Sequence, residues 1–149
     1  MNEYMKLAIK EAKKSYKIGD VPVGAIIVND RGVIAKAHNL KHKSQIATKH
    51  AEILAIEKAC KKLKTWRLED CVMYVTLEPC LMCCGAIIES RLKKVIYATK
   101  SDKFGYVSSI DNLKSEKNNH EVEFELGDMQ KESVRLLTKF FETKRNKGS

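Results

Sequence analysis

Apolar positions recur along this chain with two different periods, and these periods predict helices and strands in alternation. Helical spacing marks two stretches of the first half, Met5–Tyr16, which Gly19 closes, and His50–Leu63. The turn sequence Asn29–Gly32 joins the first two strands as a β-hairpin. Short apolar or alternating runs predict five strands in all, at Val23–Val28, Val33–Ala37, Val72–Leu77, Val95–Thr99 and Val122–Leu126.

The second half of the chain adds two helices and a long polar segment. Pro79 ends the third strand and can begin a helix over Cys80–Ser90, because proline suits the first helical turn. Gln130–Lys144 is predicted as a helix, whereas Lys100–His120 lacks periodicity and is interpreted as a long, functional loop. Helices alternating with strands indicate an α/β fold, a three-layer α/β/α sandwich, and the hairpin makes its sheet mixed.

Domain organisation and location follow from what the 149 residues lack. No internal repeat or linker divides them, so residues 1–149 are interpreted as one domain, with Gly148-Ser149 as a pair that cloning could have added. No apolar run is long enough to cross a bilayer, so we expect no membrane partner. Met1–Lys17 is polar and helically patterned rather than a signal peptide, and we expect a cytoplasmic protein. In a reducing compartment its five cysteines favour a metal or catalytic role over disulfides.

The charge balance is basic, with 28 Lys and Arg against 19 Asp and Glu and a formal net charge of +9. A small basic domain favours a polyanionic partner, with nucleic acid first and an anionic membrane second. A lysine-rich solvated surface is the competing interpretation. The charges are scattered along the chain, so composition alone localises no binding patch.

Two short motifs carry candidate chemistry, His50-Ala51-Glu52 and Pro79-Cys80-Leu81-Met82-Cys83. Cysteines three residues apart share one helix face, so both sulfurs can reach one ion. One imidazole and two thiolates give tetrahedral zinc three protein ligands and leave a fourth position open for water. Glu52 would close the site if it were a ligand, so we predict that it moves protons beside the water.

Two other interpretations of the cysteines remain open at this point. A lone Cys-x-x-Cys pair could be a redox site. A structural zinc site would need a fourth ligand, and Cys84 lies about 100° around the helix from Cys83, so we expect it to point away. The four residues that could supply such a ligand are Cys84, Cys71, Cys60 and His42.

The two motifs and their flanking runs resemble the tRNA-specific adenosine deaminases (TadA) of the zinc-dependent cytidine and deoxycytidylate deaminase superfamily, whose signature is H-x-E with P-C-x-x-C. The resemblance extends from about Val21 to Arg145. The stretches that carry it are Val21–Ala25, His38-Asn39, His50–Ile53, Trp66–Leu68, Tyr74–Cys80, Met82-Cys83, Gly85–Ile87, Ser90-Arg91, Asn119-His120 and Phe140-Phe141.

This resemblance implies a cytidine-deaminase-like fold with a five-stranded mixed sheet, a homodimer, and one zinc ion per subunit. It implies hydrolytic conversion of adenosine to inosine at wobble position 34 of a tRNA anticodon, with zinc-activated water attacking C6 and Glu52 shuttling the proton. Asn39 matches an asparagine that hydrogen-bonds the flipped base, and Val23 matches an apolar pocket wall. The further positions implied to lie near the base or the RNA are Pro79, Ser101, Arg91 and Phe140-Phe141.

Three stretches depart from the pattern of that family. Ala47-Thr48-Lys49 replaces the usual Pro-Thr-Ala, Ser101 stands where an aspartate is usual, and Gly105–Ser109 replaces a stretch rich in glycine and serine. These departures leave the choice of tRNA, and of RNA over DNA, open. The rival hypotheses are a deaminase of cytosine or guanine and a zinc-stabilised RNA-binding module without activity.

Overall fold

A computed structural model of the chain describes residues 2–101 and 121–148, with side chains up to residue 144. Most of the predicted loop Lys100–His120, including Gly105–Ser109, lies outside the described residues. The helices are α1 (Glu3–Lys17), α2 (Lys41–Ser44), α3 (Ala51–Leu63), α4 (Leu81–Glu89) and α5 (Gln130–Gly148). The strands are β1 (Gly24–Asn29), β2 (Gly32–His38), β3 (Val72–Val75), β4 (Lys94–Tyr97) and β5 (Glu123–Leu126).

The five strands form one mixed sheet in the order β2-β1-β3-β4-β5. Strand β1 pairs antiparallel with both β2 and β3, and β3, β4 and β5 run parallel. The hairpin β1–β2 therefore supplies the antiparallel part, and helix α4 connects β3 to its parallel neighbour β4. The predicted mixed five-stranded sheet is confirmed.

The core lies on both faces of this sheet. Successive side chains of a strand point to opposite faces, so Ile27 of β1 packs in the cluster that contains Ala55 of α3. Its neighbour Ile26 packs with Met5 and Ala8 of α1 on the other face. Helices thus cover both faces, which confirms the predicted three-layer α/β/α sandwich.

Helix α1 packs directly against the backbone of Gly24 at the beginning of β1. A Cβ atom at this position would lie 2.6 Å from the backbone nitrogen of Ala12 and would also overlap the backbone of Ala8. Only glycine therefore allows this helix–strand contact. The contact holds the middle of α1 against the beginning of β1.

The predicted element boundaries agree with the structure to within a few residues, and the differences have local causes. Helices α3 and α4 begin one residue after His50 and Cys80, which are extended and act as N-caps. The sequence did not predict α2, a four-residue helix whose first backbone N–H groups are bound by a distant carboxylate, that of Asp20. Within the described part of the chain, we find no helix long and apolar enough to cross a membrane.

Candidate metal centre and active site

The site is built where the N-termini of α3 and α4 meet. His50 begins α3 by accepting a hydrogen bond at its carbonyl from the Leu54 N–H, at 3.0 Å. Cys80 begins α4 in the same way, with its carbonyl 2.9 Å from the Cys84 nitrogen. Free N–H groups and the positive end of the helix dipole therefore surround the two motifs, and this field favours negative charge on sulfur.

His50, Cys80 and Cys83 bring one nitrogen and two sulfurs to within 4.8 Å of one another. Nδ1 of His50 lies 3.7 Å from Sγ of Cys80 and 3.6 Å from Sγ of Cys83. This is the one group of His, Cys, Asp and Glu side chains among the described residues that is arranged to hold a metal ion. The three predicted ligands thus form a candidate metal site.

Hydrogen bonds among the three candidate ligands shift the pKa values of all three. A hydrogen bond from Cys83, and a second from His50, lower the pKa of Cys80 to about 4 although burial opposes the shift. The same thiol–thiol hydrogen bond, together with burial, raises the pKa of Cys83 well above its usual value. The hydrogen bond with Cys80 also raises the pKa of His50. A metal ion would replace the protons that these three groups share.

Glu52 lies two residues after His50, on the first turn of α3, with only 4% of its surface exposed. Burial raises the pKa of its carboxyl to about 7. A carboxyl group with such a pKa can both accept and release a proton near neutral pH. Its position beside the candidate ligands is the one expected of a proton shuttle.

Cys84 does not join the candidate metal site. It is fully buried, and its thiol donates to the carbonyl of Pro79 over 3.7 Å. Burial raises its pKa to about 12, so it stays a neutral thiol. Cys60, Cys71 and His42 are likewise absent from the ligand cluster. The described residues therefore offer three ligands, the number that leaves a coordination position open for chemistry.

A cavity of about 530 Å³ opens beside the candidate ligands. Of the residues predicted to bind substrate, Val23, Asn39 and Ser101 line it, as do His50, Glu52 and Cys80. The remaining lining residues are Asp20, Val21, Lys41, Leu77, Glu78, Lys100, Leu137 and Phe141. The volume falls in the range of pockets for small ligands, which measure roughly 300–1,000 Å³.

Asn39 is held in one orientation at the cavity wall. Its side-chain oxygen accepts a hydrogen bond of 2.7 Å from the backbone N–H of Ala51, the first residue of α3. Its backbone is fixed as well. The Asn39 N–H donates to the carbonyl of Val23, and the Asn39 carbonyl accepts from the Ser15 hydroxyl. Because the amide oxygen is engaged, the NH₂ group is the part of this side chain available to a ligand.

Two acidic residues that the sequence did not single out, Asp20 and Glu78, also line the cavity. Asp20 is fully buried, and its carboxylate accepts from the backbone N–H groups of Val21, His42 and Lys43, which anchors α2. Glu78 is 4% exposed and accepts a 2.9 Å hydrogen bond from the backbone N–H of Ser101. The available signal was their location, since Asp20 immediately precedes the stretch Val21–Ala25 and Glu78 lies inside the stretch Tyr74–Cys80.

Pro79 and Arg91 lie away from the cavity lining. Pro79 is buried beneath the start of α4, where its carbonyl accepts from Cys84. Arg91 follows α4 in a left-handed conformation, with φ at 62°, and its guanidinium lies 5.7 Å from the ring centre of Trp66. Contact of either residue with substrate stays a prediction. Phe140 is buried, and Phe141 reaches the cavity from α5.

Comparison with known proteins identifies the family to which the chain belongs. The profile of the MafB19-like deaminases matches residues 1–145. The tRNA-specific adenosine deaminase of Bacillus subtilis is 46% identical over 145 residues, which cover 97% of this chain and 90% of that protein. This chain belongs to the tRNA-specific adenosine deaminase family.

Solved structures agree with membership of the tRNA-specific adenosine deaminase family. One, from a study of A-to-I editing by tRNA:A34 deaminases at the wobble position of transfer RNA, superimposes with a TM-score of 0.84. It is 36% identical, and the match covers 90% of this chain and 98% of that one. A guanine deaminase from Bacillus subtilis has a TM-score of 0.66 at 32% identity, with 98% and 95% coverage. The fold is thus common to deaminases of different bases, and the substrate must be argued from the site.

Proposed function

We propose that this protein converts adenosine to inosine at wobble position 34 of a tRNA anticodon. The observation that carries the proposal is a buried carboxyl, Glu52, beside a three-ligand metal site at the wall of a base-sized cavity. Membership of the tRNA-specific adenosine deaminase family supports adenosine in tRNA as the substrate. The reaction adds water at C6 of adenine and releases ammonia.

We propose zinc as the resident metal, with one ion per subunit held by His50, Cys80 and Cys83. The donor set fits this ion, because one imidazole nitrogen and two thiolates with a free position is a known catalytic arrangement for zinc. The lowered pKa of Cys80 to about 4 makes that sulfur a ready thiolate. When bound, zinc would supply the Lewis acidity that makes water nucleophilic near neutral pH.

Glu52 performs the proton transfers in this proposal. Its carboxylate takes a proton from the attacking water and delivers it to N1 of the adenine ring as the C6–O bond forms. The second water proton then passes through the same carboxyl to the leaving amino group, the C6–N bond breaks, and ammonia departs. Burial raises the pKa of this carboxyl above its ordinary value, which makes its carboxylate a stronger base towards water.

The cavity walls would orient the base. The NH₂ group of Asn39 is a fixed donor and would bind an acceptor nitrogen of adenine. Val23, Leu77 and Phe141 supply apolar surface against which the ring can pack. Lys41 places a cation at the same cavity, where it can reach a phosphate beside the flipped nucleotide.

A panel of substrates tests the proposal. The protein is incubated with an RNA anticodon stem-loop carrying adenosine at position 34, the equivalent DNA stem-loop, and free adenosine, cytidine and guanine. We expect inosine in the RNA stem-loop, identified by nucleoside mass spectrometry. Uridine as the main product would make cytidine the substrate, and xanthine would make guanine the substrate. No product from any of them would favour an RNA-binding module without activity.

The homodimer implied by the family resemblance and the cytoplasmic location expected from the polar N-terminus stay predictions. Light scattering on the purified protein measures the first directly, and a mass near twice 17.0 kDa is expected.

A further inference from the structure

A second cleft, of about 430 Å³, lies between α1 and β2, and lysines dominate its lining. Residues three, four and seven positions apart share one face of a helix, which places four of these lysines side by side along α1. The fifth comes from β2. All five side chains are exposed, and we call this surface the lysine cleft: Lys10, Lys13, Lys14, Lys17 and Lys36.

The acidic residue in the lysine cleft neutralises only one of these charges. Glu11 is buried, with one carboxylate oxygen 2.6 Å from Nζ of Lys14 and the other 3.1 Å from Nδ1 of His38. Among the described residues, no carboxylate lies within ion-pair distance of the other four lysines. Several unpaired positive charges around one concave surface give a strong local potential for an anionic ligand.

Both elements that form the lysine cleft end at the deamination cavity. Lys17 precedes the cavity residue Asp20 by three positions, and Lys36 precedes the cavity residue Asn39 by three. Three residues of chain span at most about 11 Å. Lys17 and Lys36 of the lysine cleft therefore lie within that distance of residues that line the cavity.

We propose that the lysine cleft binds the phosphate backbone of the tRNA, beyond the nucleotide that enters the cavity. The inference rests on the proposed function for its choice of polyanion, because the cleft lies near the cavity that would receive the base. Each exposed lysine presents a single positive charge, and such charges bind phosphate groups independently of the nucleotide sequence. The cleft would supply affinity for tRNA and leave the choice of base to the cavity.

A charge-neutralising variant and a matched control test this proposal. In the test variant Lys10, Lys17 and Lys36 become glutamine, which removes three charges and keeps helix propensity at the two positions on α1. The control changes Lys61, Lys62 and Lys93 to glutamine. These three are also exposed but lie at the C-terminal end of α3 and just before β4, at the end of the sheet away from the cavity.

The measurement is filter binding of full-length tRNA to each protein over a series of salt concentrations. We expect the test variant to raise the Kd by about tenfold or more and to reduce the salt slope by about 2–3, while the control changes both far less. A third variant with arginine at the three cleft positions should keep the Kd of the unaltered protein, because it keeps the charge. Thermal unfolding of each variant verifies that the fold is intact.

Equal Kd values and slopes for the test variant and the control would overturn the proposal. So would loss of binding to phosphatidylglycerol vesicles by the test variant with tRNA binding unchanged, which would make the cleft a membrane surface. Filter binding needs no turnover, so this outcome is independent of the reaction. Absence of inosine with the salt effect intact would reject the proposed function and leave the cleft as an RNA-binding surface.

Discussion

At the scale of single residues, Glu52 and the three candidate metal ligands carry the chemistry, and Asn39 and Asp20 line the cavity beside them. Glu52 and the three metal ligands were predictable because residue type and spacing dictate their chemistry. The orientation of Asn39 was not, because it depends on an N–H group of Ala51 that tertiary structure brings to it. Asp20 escaped prediction for the same reason, since its partners His42 and Lys43 are more than twenty residues away.

Glu52→Gln removes the proton carrier and keeps the size of the side chain. We expect turnover on the RNA stem-loop to fall by about 10²–10⁴-fold, because general acid–base catalysis typically contributes that much. Metal content, measured by atomic emission, should stay unchanged, since Glu52 is not among the candidate ligands. Turnover within a few-fold of the unaltered protein would reject the proton-shuttle role.

Substitutions of Asn39 separate its two hydrogen-bonding roles. Asn39→Asp keeps an oxygen for the Ala51 N–H but removes the NH₂ donor, so stability should hold while kcat/KM falls by about 10–100-fold. Asn39→Ala removes both and should also lower the free energy of unfolding by about 1–3 kcal/mol. Urea unfolding and steady-state kinetics measure the two effects. If Asn39→Asp is fully active, the NH₂ group does not bind the base.

Adjacent cysteines distinguish a ligand from a core residue. Cys83→Ala should lose bound metal and activity, because it removes one of three ligands. Cys84→Ala should keep the metal at the same stoichiometry, because its thiol contacts the Pro79 carbonyl instead. Metal loss in the Cys84 variant would mean that the site has four ligands and a structural role.

At the scale of elements, hydrophobic period placed every long helix and strand within a few residues. It could not place α2, because the N-terminal N–H groups of this helix are bound by Asp20, a residue distant in sequence. Periodicity also could not show that His50 and Cys80 are N-caps rather than helical residues. That detail matters, because an N-cap holds its side chain at the open end of the helix beside the free N–H groups.

Gly24→Ala tests the close contact between α1 and β1. The added Cβ would overlap backbone atoms of Ala8 and Ala12, which cannot rotate away. We expect the free energy of unfolding to fall by about 1–3 kcal/mol or more, measured by urea denaturation. The matched control is Gly85→Ala in α4, where the new Cβ meets nothing within 4 Å, and it should be neutral or stabilising. Similar losses in both would mean that crowding at Gly24 is not the cause.

For the whole molecule, sequence pattern was enough for the α/β class, and the family resemblance predicted the sheet and the reaction. The cavity could not be predicted from the sequence, because its wall is assembled from residues far apart in the chain, such as Val23 before β1 and Phe141 on α5. Ser101, one of the departures from the family, lines that cavity and is bound by Glu78. Sequence pattern alone therefore left the choice between RNA and DNA open.

The metal dependence of inosine formation tests most directly whether His50, Cys80 and Cys83 hold a catalytic metal ion. The protein is stripped of metal with a chelator, and inosine in the RNA stem-loop is measured before and after one equivalent of zinc is returned. We predict that inosine falls to background without metal and recovers with zinc, because His50, Cys80 and Cys83 then hold the ion beside Glu52. Full-rate inosine formation by the metal-free protein would mean that the reaction needs no metal ion at this site.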